Sequence, residues 1–347
     1  MKPRKNTKKI IAGGLAIGGG APISVQSMTK TDTRDAIATS SQIKRLEDAG
    51  CELVRIAVPD MEAAEAFKQI KKTANVPLCA DIHFDYRLAL AAIKNGADKI
   101  RINPGNIGGE KNVQAVAEAA KKARIPIRIG VNSGSLEKNL SMPQSVMKHV
   151  VFLESCGFFD IVIAIKASDV PSTVKACIEI SEMTDYPLHI GITEAGLPVR
   201  GSIKSAAGIG AILSHGIGDT IRVSLTGDPV DEVICAKDIL QAMGLRRFNL
   251  EFISCPTCGR TEVEMIAIAK KVEKFCLSID VPLKIAVMGC AVNGPGEAAD
   301  ADFGIACGRG TGAVFKKGKI IRKAPQQELA DILIGEIKSY VQNEKIY

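Results

Sequence analysis

The chain has 347 residues, 46% of them hydrophobic and 24% charged, a balance typical of a globular protein large enough for two domains. Its net charge of +7 indicates anionic partners, but aromatic residues make up only 4% and tryptophan is absent, which argues against nucleic acid bound by base stacking. No stretch approaches the roughly 18 consecutive apolar residues of a membrane span, so we expect no membrane partner.

The first 22 residues combine a basic leader with an apolar run, a composition that is superficially like a signal peptide. The run is rich in glycine, and no small-residue cleavage site separates it from the "SVQSMT" segment that follows. We therefore predict a hairpin that leads into the first strand.

Strand-like and helix-like segments then alternate eight times. The strand-like segments are, in order, "ISVQSM", "ELVRIAV", "PLCADIH", "KIRINPG", "IPIRIGVN", "FDIVIAIKAS", "PLHIGITEAG" and "DTIRVSLTG". They are β-branched and almost continuously apolar, as expected of parallel strands buried on both faces. Eight such units predict a TIM-type (β/α)8 barrel over residues 1–245; a doubly wound open sheet is the competing fold. After Leu245 the rhythm breaks, and residues 246–347 predict a small α+β domain.

Polar and charged residues collect at the carboxyl ends of the predicted strands, the face where barrel active sites form. They are Arg55, Asp81, His83, Arg101, Asn103, Arg128, Asn132, Lys166, His189, Glu194, Arg222, Ser224 and Thr226. Five of them are cations and two are carboxylates, so ion pairs within the set cannot neutralise all of the positive charge. Because an unpaired buried cation is costly, we predict that a phosphate or diphosphate completes the site. A divalent-metal site at Asp81 and His83 is the alternative for that pair.

The ten cysteines lack the regular spacing of a secreted disulfide scaffold, which predicts a reduced cytosolic compartment. Six of them lie in apolar patterns and are predicted to be small buried residues: Cys51, Cys79, Cys156, Cys177, Cys235 and Cys276.

Three further cysteines have the spacing of metal ligands. Cys255 and Cys258 form a C-x-x-C turn, and Cys290 follows after 31 residues in a glycine-bounded loop. A structural zinc site would normally show a second C-x-x-C or a histidine pair, and the sequence has no histidine after His215. Soft thiolates in glycine-rich loops therefore favour an iron–sulfur cluster.

Two residues are candidates for the fourth ligand. The softness of sulfur favours Cys307, whereas proximity favours Glu297, which lies in the "NGPGEA" segment seven residues after Cys290. A carboxylate would be a hard, weakly held ligand, so its iron would exchange ligands readily, as a catalytic cluster requires. Residue chemistry alone leaves both candidates open.

The sequence as a whole resembles the bacterial 4-hydroxy-3-methylbut-2-en-1-yl diphosphate synthase family, in its short form without an inserted domain. The resemblance runs nearly end to end through segments such as "ADIHFDYRLAL", "KIRINPGNIG", "IRIGVNSGSL" and "HIGITEAG". Its most specific motifs are "FISCPTCGRT" and "VMGCAVNGPGEA".

This resemblance implies a 4Fe–4S enzyme of isoprenoid precursor biosynthesis by the methylerythritol phosphate pathway. Such enzymes convert 2-C-methyl-D-erythritol 2,4-cyclodiphosphate to 4-hydroxy-3-methylbut-2-enyl diphosphate by two-electron reductive ring opening with loss of water. The implied cluster ligands are Cys255, Cys258, Cys290 and Glu297, and the implied acid is Glu194. The implied substrate-binding residues are Arg55, Asp81, His83, Arg101, Asn103, Arg128, Asn132, Lys166, Arg222 and Ser224.

The resemblance also implies partners. Electrons come from a small acidic carrier, flavodoxin or ferredoxin, and the basic net charge suits such a partner. In the family, the cluster domain of one subunit covers the barrel of the other in a cytoplasmic homodimer.

Two other functions compete. One is a phosphate-binding barrel of the pteroate-synthase type whose C-terminal cysteines hold structural zinc, which leaves the three-cysteine count and "NGPGEA" without a reason. The other is a nucleic-acid module with a zinc-ribbon-like tail, which the scarcity of aromatic residues disfavours.

Overall fold

The chain divides after Arg246 into two units, Met1–Arg246 and Arg247–Tyr347. The computed structural model describes residues 1–132, 140–167, 169–248, 250–258, 261, 263–277, 279, 281–290 and 300–344, without the side chains of residues 131, 132 and 344. Within these residues, no helix has the length and apolar character needed to cross a bilayer.

The first unit contains a hairpin and eight parallel strands. The hairpin strands are β1 (Ile10–Ala12) and β2 (Leu15–Ile17). The parallel strands are β3 (Ser24–Met28), β4 (Leu53–Val58), β5 (Leu78–Ile82), β6 (Lys99–Ile102), β7 (Ile127–Asn132), β8 (Ile161–Lys166), β9 (His189–Ile190) and β10 (Thr220–Ile221). They pair in the order β8-β7-β6-β5-β4-β3-β10-β9, and a bridge between Ile163 and Leu188 joins the two ends. The predicted barrel is confirmed.

One helix follows each of these strands. The helices are α1 (Ala36–Asp48), α2 (Met61–Thr73), α3 (Tyr86–Lys94), α4 (Glu110–Ala123), α5 (Met142–Ser155), α6 (Val170–Met183), α7 (Pro198–Ser214) and α8 (Pro229–Ala242). Aspartate side chains accept hydrogen bonds from the first backbone N–H groups of α1, α2, α3, α6 and α8. Such caps satisfy donors that the helix cannot, and so help to define where each helix begins.

The predicted N-terminal hairpin is present and packs at the amino end of the barrel. Ala12 and Ile17 form a buried cluster with Leu53 of β4 and Cys79 of β5. Both of the latter lie at the starts of their strands. The hairpin therefore closes the amino end with apolar side chains, and the carboxyl ends of the strands remain the open face.

The interior of the barrel is unusually polar. Arg128 of β7 donates a hydrogen bond from Nη1 to Oε1 of Gln26 at 3.4 Å. Because β3 and β7 are four strands apart in an eight-stranded barrel, the Arg128 guanidinium crosses the interior. Lys99 of β6 is completely buried, and its Nζ has no hydrogen-bond partner among the described residues.

The described part of the second unit is a five-stranded mixed sheet with two helices. Its strands are β11 (Leu250–Ser254), β12 (Leu283–Met288), β13 (Phe303–Cys307), β14 (Thr311–Lys316) and β15 (Lys319–Pro325), and its described helices are α9 (Met265–Cys276) and α10 (Leu329–Glu344). The first three strands are parallel and the last two antiparallel, in the order β11-β12-β13-β14-β15. β14 and β15 are joined by a tight turn at Lys317 and Gly318, with positive φ at both residues.

Four of the six cysteines predicted to be buried are buried: Cys51, Cys79, Cys177 and Cys276. For Cys156 and Cys235 the prediction is wrong, because both are partly exposed. Cys156 follows the last residue of α5, at the end of the helix, and Cys235 lies on α8 beside the buried stripe of that helix.

Burial of Lys99 makes the stability of the barrel depend on pH. Burial lowers the pKa of Lys99 to about 7, well below the ~10.4 of an exposed lysine. Between these two values the unfolded chain binds the extra proton, so the free energy of unfolding rises with pH. Relative to Lys99→Met, the wild-type protein should gain on the order of 2 kcal/mol between about pH 7 and pH 9, measured by chemical denaturation.

The control for this experiment is Lys72→Met on the exposed face of α2. That variant should follow the pH dependence of the wild-type protein. If the Lys99→Met curve is parallel to both, Lys99 keeps its proton in the folded state and the interpretation is wrong.

Candidate active site

A cavity of about 180 Å³ opens at the carboxyl end of the barrel strands. Its lining residues are Arg55, Asp81, His83, Arg101, Arg128, Gly130, Ala164, Lys166, Thr193, Arg222 and Ser224. The structure thus brings together all five predicted cations, together with Asp81, His83 and Ser224. They come from strands all around the barrel, so no single segment of the chain could form this site.

Asp81 is the buried carboxylate at the centre of one side of the cavity. Its Oδ1 accepts a hydrogen bond from Arg101 Nη1 at 3.0 Å, and its Oδ2 lies 3.7 Å from Arg55 Nε and 3.4 Å from His83 Nε2. Burial alone would raise the pKa of Asp81, but the neighbouring arginines and His83 outweigh it and hold the pKa well below its usual range. Asp81 therefore stays ionised and positions two guanidinium groups.

The remaining cations repel one another in a buried setting. Burial and the charge of Arg55 lower the pKa of Arg128 to about 9 and that of Arg222 to about 10. Burial and the charge of Arg222 hold the pKa of Lys166 well below its ordinary value, and its Nζ lies 3.1 Å from His189 Nε2. An anion in the cavity would relieve this repulsion, so the site favours a multiply charged guest.

Two glycines make room for these cations. A Cβ atom on Gly130 would lie 2.9 Å from Arg101 Nε, and one on Gly191 would lie 2.9 Å from Lys166 Nζ and 2.2 Å from the Arg222 carbonyl oxygen. Side chains at these positions would displace the cations from the cavity. The glycines of "IRIGVN" and "HIGIT" are therefore part of the site.

Glu232 of α8 is a fully buried carboxylate that the sequence pattern did not single out. Its partners are Lys30 Nζ at 3.1 Å, Leu225 N at 3.1 Å, Ser27 Oγ at 2.9 Å and Arg222 Nη2 at 3.9 Å. Glu232 thus holds Arg222 from behind and ties the last barrel strand to the first. One signal could have revealed it, because Glu232 lies on the same face of α8 as the buried residues Val233, Ala236 and Ile239.

Five residues predicted at the barrel mouth are not part of the described cavity lining: His189, Thr226, Asn103, Glu194 and Asn132. Asn103 is buried, and its side chain accepts a hydrogen bond from Gly105 N at 3.3 Å at the start of a short 3-10 turn. Glu194 is exposed, with φ of 51°, and follows the lining residue Thr193. Asn132 ends β7, and its side chain lies outside the described part of the chain. Their roles stay predictions.

The three motif cysteines of the second unit are accessible. Cys255 and Cys290 follow the neighbouring parallel strands β11 and β12, and Cys255 N donates to Val287 O at 3.0 Å. Cys258 is exposed, and Thr261 closes its turn through bonds to Cys258 N and O at 3.0 and 2.8 Å. Glu297, the predicted fourth ligand, lies outside the described residues. Among the residues that are described, no three metal-ligating side chains converge on one point.

Cys307, the other candidate for the fourth ligand, lies in a different environment. Its side chain is completely buried in the core formed with Leu329, Leu333 and Val287. Burial raises the pKa of its thiol to about 11, so it stays protonated. A metal ligand must be a thiolate, so this environment suits a packing role.

Two family models match the chain: "GcpE TIM-barrel domain" over residues 7–237 and "GcpE protein C-terminal domain" over residues 251–339. The chain belongs to the GcpE family. The 4-hydroxy-3-methylbut-2-en-1-yl diphosphate synthase (flavodoxin) of Caldanaerobacter subterraneus subsp. tengcongensis is 56% identical, over 99% of this chain and 100% of the relative. The enzyme of the same name from Clostridium tetani is 55% identical, over 97% and 99%.

Among solved structures, the dihydropteroate synthase of Yersinia pestis superposes on this GcpE family member with a TM-score of 0.51. The match covers 69% of this chain and 99% of that one, at 16% sequence identity. Such a likeness shows a shared barrel fold alone. The rival hypothesis of a pteroate-synthase type of enzyme therefore gains no functional support from it.

Arg222→Met tests whether the cavity of this GcpE family member is an anion site. Inorganic diphosphate is the probe, and isothermal titration calorimetry measures its affinity. Loss of one charge-assisted contact costs about 1.5–3 kcal/mol, so the affinity should fall roughly 10- to 100-fold.

Arg4→Met is the matched control, because Arg4 pairs with the buried Asp219 at the amino end of the same strand, at 2.9 Å. It removes the same charge but should leave diphosphate binding nearly unchanged. Equal losses in the two variants would show that net charge, and not the cavity, controls binding.

Proposed function

We propose that the chain catalyses the reductive ring opening of 2-C-methyl-D-erythritol 2,4-cyclodiphosphate to (E)-4-hydroxy-3-methylbut-2-enyl diphosphate. The observation that carries this proposal is the buried cationic cavity at the barrel mouth of a chain matched end to end by enzymes named for that product. A compact cyclic diphosphate supplies the negative charge that is needed to balance the five cations. The protein is thus an oxidoreductase of isoprenoid biosynthesis.

The cavity residues bind and orient the diphosphate. Arg55 and Arg101 are fixed by Asp81, and Arg222 is held by Glu232, so their positions are set before substrate arrives. Ring opening releases one phosphate oxygen from its carbon and increases the negative charge on the diphosphate. Preorganised cations stabilise such developing charge because they need no rearrangement during the reaction.

The cysteines of the second unit fit an iron–sulfur cofactor. Cys255, Cys258 and Cys290 are accessible thiols on adjoining segments, whereas Cys307 is a protonated core residue. We assign the fourth position of a 4Fe–4S cluster to Glu297, following the family motif. When bound, the cluster supplies the two electrons, one at a time, and a Lewis-acidic iron with an exchangeable ligand.

Glu194 is proposed as the acid that protonates the departing oxygen. It lies next to Thr193, which lines the cavity, and its exposed position on a left-handed backbone turn allows proton exchange with solvent.

The electron donor and the assembly complete the proposal. Flavodoxin appears in the names of the relatives and is proposed as the donor here, with ferredoxin as the alternative. The cavity and the cysteines belong to different units, yet the reaction needs both at one substrate. A homodimer in which the cluster unit of one subunit covers the barrel mouth of its partner meets this requirement and excludes water.

The decisive experiment is anaerobic purification followed by iron, sulfide and zinc analysis and an assay with the cyclic diphosphate. We expect about four irons with inorganic sulfide per chain and formation of the allylic diphosphate. One zinc per chain without sulfide, and no turnover, would instead support a structural zinc tail.

Cysteine variants test the ligand assignment. Cys290→Ser should lose most of the iron, whereas Cys307→Ala should keep both iron and activity, because Cys307 faces the core. Alanine is preferred at position 307, since a serine there would bury an unpaired hydroxyl group. The measurement is iron content and visible absorbance of protein kept free of oxygen. Cluster loss in Cys307→Ala with retention in Cys290→Ser would refute the assignment.

Glu194→Gln tests the proposed acid. Substrate affinity should stay within a few-fold of wild type, while turnover should fall by about 10² to 10⁴, the usual contribution of a general acid. Calorimetry gives the affinity, and single-turnover product formation gives the rate. A variant that binds substrate poorly but turns it over normally at saturation would show that Glu194 is only an ion-pair partner.

A further inference from the structure

The β14–β15 hairpin concentrates positive charge in the second unit. We call residues 311–325 the basic hairpin; its cations are Lys316, Lys317, Lys319, Arg322 and Lys323, and it contains no carboxylate. The rest of residues 247–347 holds nine lysines and arginines against twelve aspartates and glutamates. The unit is therefore strongly polarised, with its positive pole on one hairpin.

None of the five cations forms an ion pair with a described residue. Lys316 lies over the rings of Phe303 and Tyr340, with its Nζ 5.1 and 5.2 Å from their centroids, and so packs against the sheet. The other four side chains are exposed. Their charge is thus available to a partner.

The basic hairpin also exposes apolar surface. Ile320 is 60% exposed and Ile321 is 43% exposed, and cations lie on both sides of this pair in the sequence. β15 is the edge strand of its sheet, and α10 packs against β13 and β14. Apolar residues surrounded by charged ones are the usual arrangement of a transient protein interface.

Protection of a sheet edge is the simpler explanation of edge lysines. It accounts for Lys319 or Lys323 but not for two adjacent exposed isoleucines, which make an edge more prone to associate. The turn between β14 and β15 also favours a binding role, because a rigid hairpin holds its exposed side chains in fixed positions. Lys317 and Gly318 both have positive φ, as in the tight turns that hold a hairpin in one twist.

The hairpin lies within reach of the motif cysteines. β11, β12 and β13 run in parallel and end at or near Cys255, Cys290 and Cys307, so these cysteines lie at the same end of the strands. Gly312 pairs with both Cys307 and Ala324, so Lys323 lies one residue from that end of the sheet. β15 is three strands from β12, or about 14 Å at the usual strand spacing.

We propose that the basic hairpin is the docking surface for an acidic electron-carrier protein, the flavodoxin of the proposed function, on which this inference rests. The four exposed cations steer the carrier and the two isoleucines make the contact that holds it. Each docking event transfers one electron, oxidising the carrier and reducing the cluster. Two events therefore supply the two electrons of one turnover.

The test compares two triple charge reversals in the anaerobic holoenzyme. Lys319→Glu/Arg322→Glu/Lys323→Glu alters the hairpin, and Lys111→Glu/Lys121→Glu/Lys122→Glu changes the charge equally on the exposed face of α4. With reduced flavodoxin as donor, the hairpin variant should show a KM for flavodoxin raised at least about tenfold and a weaker salt dependence. The α4 variant should stay close to wild type.

A small reductant separates docking from catalysis. With reduced methyl viologen, both variants should turn over the cyclic diphosphate within about twofold of wild type, because no protein has to dock. Ile320→Ser/Ile321→Ser keeps the charge and should raise the dissociation rate of flavodoxin, measured by biolayer interferometry.

Equal KM values for flavodoxin in the hairpin and α4 variants would overturn the proposal. If the hairpin variant has normal flavodoxin kinetics but self-associates, the cations protect the sheet edge and the proposal is wrong. If the hairpin variant has normal flavodoxin kinetics but loses a salt-sensitive binding to DNA that the wild-type protein shows, the cations bind nucleic acid and the proposal is also wrong. If wild-type protein fails with methyl viologen as well, the proposed function is what fails.

Discussion

The burial of surplus positive charge inside a barrel is the constraint on which this structure depends. Five cations share one cavity with Asp81, and Glu232 lies directly behind it. Burial costs these cations hydration, and the lowered pKa values of Arg128 and Arg222 reflect that loss. In the proposed function, an anionic substrate supplies the missing negative charge.

The barrel tolerates this strain because its stability comes from elsewhere. The contacts between strands and helices are apolar: Val54, Ile56, Ile100, Ile129 and Ile163 are all completely buried. The neighbouring strand positions point inward and carry Arg55, Lys99, Arg101 and Arg128, so alternate residues of one strand serve stability and binding separately. The apolar hairpin at the amino end closes the barrel without using its open face.

This separation explains which features could be predicted from the sequence. Parallel strands buried on both faces have a strong apolar signal, so the eight units and the barrel were predictable. The cations were predictable because they end those strands. Glu232 was missed because it belongs to a helix, where a glutamate in the first turn is ordinarily exposed. Asn103 was predicted at the mouth from its place at a strand end; the sequence pattern did not reveal that its side chain also accepts a hydrogen bond in the turn that follows.

The cysteines also show what sequence spacing cannot predict. Sequence spacing grouped Cys255, Cys258 and Cys290 but could not separate Cys307 from a ligand role, because spacing says nothing about which face of a strand a thiol occupies. In the structure, Cys307 faces the core under α10, whereas the three motif cysteines keep access to the surface.

The two proposed roles place opposite requirements on the burial of positive charge in the two units. A barrel that binds a reactive diphosphate must bury its cations, because water around them would weaken each contact. A unit that receives electrons from another protein must expose its cations, because steering acts through solvent at distances near the Debye length. Arg128 is 2% exposed, whereas every side chain from Lys317 to Lys323 is exposed. On the two proposals above, one chain uses the same charge in two ways, as a permanent counter-ion inside the barrel and as a transient attractant on the second unit.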